Sequence, residues 1–154
     1  MTPHKIDHQP LLPAGFHVCT LESLRRETVE RFPDSGRRRE LFASLSVYLD
    51  LLSSTGLRAE VWIDGSFMSV KPEPDDIDMV VAFDPDSARS TPMAARPALL
   101  NLLDTNFVAA RFGLHLFRVS QQDADGVAYW TRLFGTMRDE RTPKGMAVLR
   151  INND

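Results

Sequence analysis

A single cysteine, Cys19, stands among 154 residues. One thiol cannot close an internal disulfide, which excludes a disulfide scaffold and leaves no argument for an oxidising compartment. Long apolar runs are missing as well, so nothing reads as a bilayer span. The opening Met1-Thr2-Pro3-His4-Lys5-Ile6-Asp7 lacks the apolar core of a secretory signal. There is no internal repeat and no low-complexity tract, which excludes solenoids and fibres. What is present is ordinary: 43% hydrophobic and 25% charged residues, enough for one domain with its own core and too apolar for a disordered tail. The expectation is a cytoplasmic protein without membrane association, of unspecified oligomeric state.

A large net charge is absent too, at -3, but its distribution is uneven. Between Glu60 and Ser87 eight carboxylates (Glu60, Asp64, Glu73, Asp75, Asp76, Asp78, Asp84, Asp86) face one cation, Lys71, while the flanking segments are near balance or basic. Negative charge concentrated inside a fold is repulsive unless solvent or a cation neutralises it. This is the first hint of a metal.

Residues 1–16, with Pro3, Pro10, Pro13 and Gly15, show no periodicity and read as an irregular arm ahead of a single domain over residues 17–154. Thr20 to Phe32 has helical spacing with Thr20 as N-cap, ended by Pro33-Asp34-Ser35-Gly36. A second helix is predicted from about Arg37 to Ser53, carried by the stripe Leu41, Leu45, Tyr48, Leu49 and Leu52, with Gly56 near its end. The period then changes. Ala59–Ile63 reads as a strand that gives way to Asp64-Gly65-Ser66, and Lys71-Pro72-Glu73-Pro74-Asp75 is a loop because prolines interrupt a ladder. Ile77–Phe83 is a strand closed by Asp84-Pro85-Asp86-Ser87, Pro97 to about Phe112 is helical in one piece or two with Gly113 as its stop, and Leu114–Val119 is a third strand. Ala128–Phe134 reads as a helix and Gly145–Ile151 as a last strand. The expected fold class is α/β (α+β): a mixed sheet with helices mainly on one face.

On a strand, side chains alternate faces with a period of two. Asp76 and Asp78 therefore share one face while Ile77, Met79 and Val81 enter the core. Two carboxylates side by side suit a hard cation. Gly65-Ser66, where a strand becomes a turn, lets the backbone approach a ligand and offers a hydroxyl and amides to phosphate. Together these are the parts needed for metal-assisted transfer from a nucleoside triphosphate. The bland alternative is a solvated acidic turn leading into a strand.

Gly65-Ser66, ten intervening residues and Asp76-Ile77-Asp78 resemble the signature of the nucleotidyltransferase superfamily, the DNA polymerase β-like fold. The wider pattern, with Thr20-Leu21-Glu22, Arg37-Arg38-Arg39, Asp64-Gly65-Ser66-Phe67, Asp75-Asp76-Ile77-Asp78 and Lys144-Gly145, resembles a bacterial branch of small nucleotidyltransferase-like proteins from residue 13 onward. The resemblance implies that Gly65 and Ser66 contact the triphosphate and that Asp76 and Asp78 bind Mg²⁺ or Mn²⁺. It also implies a third carboxylate on the strand Leu114–Val119, most naturally at position 115, where this chain has His115. Imidazole is a poorer ligand than carboxylate for Mg²⁺ but can serve as a general base. Alternatively, His115 marks a fold that binds nucleotide without turnover.

Other residues carry paired readings. Lys71 approaches the triphosphate or is a loop cation. Lys144 reaches phosphate or sits in a plain turn. Asp64 is a turn residue rather than a ligand, and Asp123 and Asp125 are reserve carboxylates in a loop. Arg37-Arg38-Arg39 contacts phosphate or an acidic partner, or is a solvated cluster at a helix start. Tyr129, Trp130 and Phe134 are core rather than a base-stacking platform, and Cys19 is an inert small apolar residue. The expected activity is transfer of a nucleoside monophosphate from a triphosphate, ATP by expectation, to a hydroxyl of RNA, a protein or a small molecule. The alternative is a catalytically degenerate binding module, an antitoxin or phage-defence component with a toxin or defence protein as partner. A nuclease would leave the Gly-Ser turn without purpose.

Overall fold

The computed structural model describes residues 8–137, 139 and 141–153. Strand β1 (Gly15–Val18) leads to helix α1 (Leu21–Arg25), which widens into a π-type turn over Arg26–Glu30. Thr20 caps α1 as expected: its side chain accepts from the Ser23 N–H, and the Ser23 hydroxyl accepts from the Thr20 N–H. Helix α2 (Gly36–Ser54) and strand β2 (Ala59–Asp64) come next. A 3₁₀ turn (Ser66–Met68) and a loop precede strand β3 (Ile77–Phe83) and helix α3 (Pro85–Arg89). After a second 3₁₀ turn (Met93–Ala95) come helices α4 (Arg96–Leu102) and α5 (Thr105–Phe112), strand β4 (Leu114–Ser120), helix α6 (Ala124–Phe134) and strand β5 (Gly145–Ile151).

The sheet runs β1-β5-β2-β3-β4. β2 is antiparallel to both β3 and β5, whereas β1–β5 and β3–β4 are parallel pairs, so the sheet is mixed. This agrees with the expected α+β class. Helices are distributed unequally. One face packs Val61, Ile63, Ile77, Met79, Val81, Leu114 and Leu116 against α1, α2, α4 and α5, through residues such as Leu24, Leu45, Leu52, Leu99 and Val108. The other face packs Trp62, Val80, Ala82, Val119, Met146 and Val148 against Phe134, with Phe117, Val127 and Trp130 partly buried beside them.

Helix α2 anchors the first layer. Leu45, Tyr48 and Leu52 are completely buried, each contributing about 1.5–3 kcal/mol for a large apolar side chain. The Tyr48 hydroxyl donates to the Leu102 carbonyl at 2.6 Å, so its polar end is satisfied in the core. Gly113, left-handed at φ 68°, ends α5 as predicted. Among the described residues no helix is long and apolar enough to cross a membrane.

Three boundaries differ from the sequence reading. Gly15 and Phe16, assigned to the irregular arm, belong to β1 and pair with Gly145 and Met146. Earlier in the arm, Leu11 N–H donates to Met68 O and Val70 N–H to Gln9 O, both at 2.9 Å, laying it along the loop after β2; residues 1–7 lie outside the described residues. Asp84-Pro85-Asp86-Ser87 does not merely close β3. Asp84 accepts from the Asp86 N–H and Pro85 takes the first helical position, so the segment opens α3. Helix α6 begins four residues before Ala128, because Asp123 caps it by accepting from the Gly126 N–H at 3.0 Å. The helical segment from Pro97 to Phe112, read as one piece or two, is two helices, with Asp104 capping α5.

Candidate metal and phosphate site

The hairpin between β2 and β3 brings the two halves of the motif together. In its register Asp64 lies opposite Asp78, and the parallel pairing of β3 with β4 sets Asp78 opposite His115. Side-chain alternation puts all three on the face that carries Trp62, Val80 and Phe117. Asp76, one residue ahead of β3, points the same way as Asp78. Ligand atoms of Asp76, Asp78 and His115 lie within 4.8 Å of one another. Ligands about 2.1 Å from a small divalent ion are about 3 Å apart when adjacent and about 4.2 Å when opposite. A spread of up to 4.8 Å is close to the separation of opposite ligands in such a shell. Two carboxylates with one imidazole suit Mn²⁺ better than Mg²⁺, which takes oxygen almost alone.

His115 Nδ1 is 3.0 Å from Asp78 Oδ1. Its ring packs on Phe117 at 4.3 Å, and Phe117 in turn packs on Trp130 at 4.4 Å, which fixes the plane of the imidazole. Burial and the neighbouring Asp76 carboxylate push the Asp78 carboxyl above the usual range, and His115 draws it partly back. Trp130 and Phe134 belong to the second apolar layer as expected, whereas Tyr129 is 48% exposed.

Gly65 explains why the turn tolerates no larger residue. Its φ is 83° with ψ -166°, a conformation open almost only to glycine. A Cβ there would lie 2.6 Å from Asp78 Oδ2. The turn is held by its own backbone, with Met68 N–H donating to Gly65 O and Ser69 N–H to Ser66 O. The half-buried Ser66 side chain is therefore not needed to hold it.

The basic run is where the structure departs furthest from the sequence reading. Arg38 neither meets an anion nor is solvated: it is fully buried. Its Nη1 donates to the carbonyls of Thr28 and Phe67 at 3.0 and 2.8 Å, and its Nη2 to those of Ser69 and Lys71, each at 2.6 Å. The guanidinium stacks on the Phe32 ring at 3.8 Å. Burial draws it down to about 10, with nearby Glu73 working the other way, so it stays charged at neutral pH. Arg37 donates to the backbone carbonyls of Pro74 and Asp75, and Arg39 to that of Pro33. The start of α2 thus grips the loop that joins the two halves of the motif.

Other expected residues separate. Lys71 pairs with exposed Asp75 at 3.8 Å while its carbonyl is held by Arg38. Asp123 is committed as a helix cap beyond the far end of β4, and neither it nor Asp125 joins the cluster. Asp64 is no turn residue: it ends β2, nearly buried, and its Oδ2 is 2.9 Å from Lys144 Nζ. Burial pushes its carboxyl up to about 7 despite that ammonium. Sequence reasoning missed Arg38 and the Asp64–Lys144 pair. A signal for Arg38 was present, since it precedes Leu41, Leu45, Tyr48 and Leu52 on the same helical stripe. Nothing local links residues 64 and 144.

No curated protein and no solved structure matches the chain. A family model described as a family of unknown function (DUF6932) matches residues 4–150, nearly the whole sequence, and the chain belongs to that family.

Proposed function

We propose that this protein is a metal-dependent nucleotidyltransferase that moves a nucleoside monophosphate from a triphosphate, ATP in the first instance, to an acceptor hydroxyl. One observation carries the reading: Asp76, Asp78 and His115 converge on one point beneath a glycine turn that a single methyl group would obstruct. Asp76, Asp78 and His115 would hold the cation, Mn²⁺ or Mg²⁺. Bound there, such an ion supplies charge neutralisation for phosphate oxygens and for the developing charge of an in-line displacement. Gly65 allows the backbone to approach the phosphates, and Ser66 offers them its hydroxyl. His115, with its ring packed on Phe117 and its Nδ1 against Asp78, fixes the orientation of that carboxylate. The nucleotidyltransferase-like fold, with the motif on β2 and β3 and its third member on β4, is part of the same proposal.

A second reading has its own observation. Lys144 already pairs with Asp64, and His115 Nδ1 lies within hydrogen-bond distance of Asp78, so the acidic corner is partly satisfied without any ion. That balance favours a binding or regulatory module, such as an antitoxin or defence component, built on the same fold. The test is incubation with α-labelled ATP and Mn²⁺ in the presence of RNA, protein extract or small-molecule hydroxyl acceptors. Label should move to an acceptor with wild type and fall at least about 100-fold in Asp76→Asn/Asp78→Asn, as for loss of metal ligands. Saturable nucleotide binding without transfer in any arm would select the second reading. No binding of nucleotide or metal would discard both.

A further inference from the structure

Asp64 is the carboxylate that the metal cluster leaves over. It faces Asp78 across the β2–β3 hairpin, yet its oxygen is turned to Lys144, 2.9 Å away, with side-chain exposures of 5% and 20%. Lys144 is itself fixed from behind, because its backbone N–H donates to Gly135 O at 2.9 Å immediately before β5 begins. Across the sheet, the row runs ammonium, carboxylate, carboxylate, imidazole: Lys144, Asp64, Asp78, His115.

Three carboxylates in one corner repel each other, and burial raises the cost of each charge. One divalent ion between Asp76, Asp78 and His115 neutralises its own ligands and leaves Asp64 to be balanced separately. We propose that Lys144 is an internal counter-ion standing where a second divalent ion would otherwise sit, so that the site takes one ion and Asp64 serves Lys144 rather than the metal. The inference rests on reading Asp76, Asp78 and His115 as a cation site. It makes Lys144 a positioning residue: it holds the Asp64 carboxyl group turned away from the cluster and unavailable as a ligand. A tethered ammonium also needs no recruitment from solution, unlike a second metal ion.

Calorimetric titration of the full chain with MnCl₂ tests this directly. Wild type should bind one Mn²⁺ per chain. Lys144→Met should gain a second Mn²⁺, since Asp64 and Asp78 would then share an uncompensated corner. Because that variant leaves a buried carboxylate unpaired and can fail to fold, Asp64→Asn/Lys144→Met removes both charges together. The double variant should keep one Mn²⁺ with affinity within about threefold of wild type, whereas loss of a true ligand costs at least about tenfold. Two ions in wild type, a single ion in folded Lys144→Met, or a tenfold loss in the double variant would overturn the inference while leaving the metal site standing. Absence of Mn²⁺ binding in wild type would instead overturn the site itself.

Discussion

Arg38 is the most exacting place to perturb this molecule, because one buried cation satisfies four carbonyls from two parts of the chain. Arg38→Met keeps the length and apolar contacts of the side chain and removes the donors. Each buried carbonyl left without a partner costs about 1–3 kcal/mol. Water reaches part of the loop at Lys71, and removing a buried charge whose Nε finds no partner returns some of the loss. The balance is a destabilisation of about 3–5 kcal/mol, in the range of broken buried networks. For a chain of this size that is a fall in Tm of roughly 10–15 °C. Urea unfolding monitored by circular dichroism would measure it, with Arg38→Lys as the graded control. A lysine offers three donors without the planar fork or the stack on Phe32, so it should recover about half of the loss. Mn²⁺ affinity should also fall at least about tenfold in Arg38→Met, since the loop it braces carries Gly65 at one end and Asp76 at the other. An Arg38→Met protein within about 1 kcal/mol of wild type would refute the idea that this guanidinium organises the loop.

Two further outcomes concern the site. Gly65→Ala should destabilise by about 2–4 kcal/mol, combining a backbone conformation that only glycine adopts readily with a collision on Asp78 Oδ2, and should weaken Mn²⁺ binding by at least about tenfold; urea unfolding and calorimetry would read the two effects. Stability of the metal-free protein should depend on pH through Asp64. Its carboxyl is held up to about 7 in the folded state against about 3.9 in the unfolded chain, so the folded state binds the extra proton between those values and stability declines as pH rises through that window. Denaturation between about pH 4.5 and pH 8 in EDTA should show a loss of a few kcal/mol for wild type, Asp78 acting in the same direction, and less than half of that loss for Asp64→Asn/Lys144→Met; equal slopes would contradict the assignment.

Much of this site was legible in the sequence because its central relations are local. The two-residue period fixed Asp76 and Asp78 on the face opposite Ile77 and Met79, and both of the latter are fully buried as that pattern demands. Position 115 on β4 does stand against Asp78, so the expected neighbour is in its expected place even though it is a histidine. Strand β1 escaped because its four residues are mostly exposed and come after three prolines, which leaves no alternating pattern to read. Asp84-Pro85 is equally a turn and a helix start, and the residues beyond Ser87 decide between them. Asp64 and Lys144 were beyond reach for a different reason: an ion pair spanning the hairpin and the last strand depends on a sheet order that no local period encodes. Arg38 looked like one of three surface arginines, although its place on the apolar stripe of α2 separates it from Arg37 and Arg39.

Whether Asp76, Asp78 and His115 form a cation site decides everything built upon it. Mn²⁺ titrated calorimetrically into wild type and into Asp76→Asn/Asp78→Asn should give saturable binding of one ion in the first and binding at least about 100-fold weaker in the second. Equal uptake by the two proteins, or none by the wild type, would contradict it.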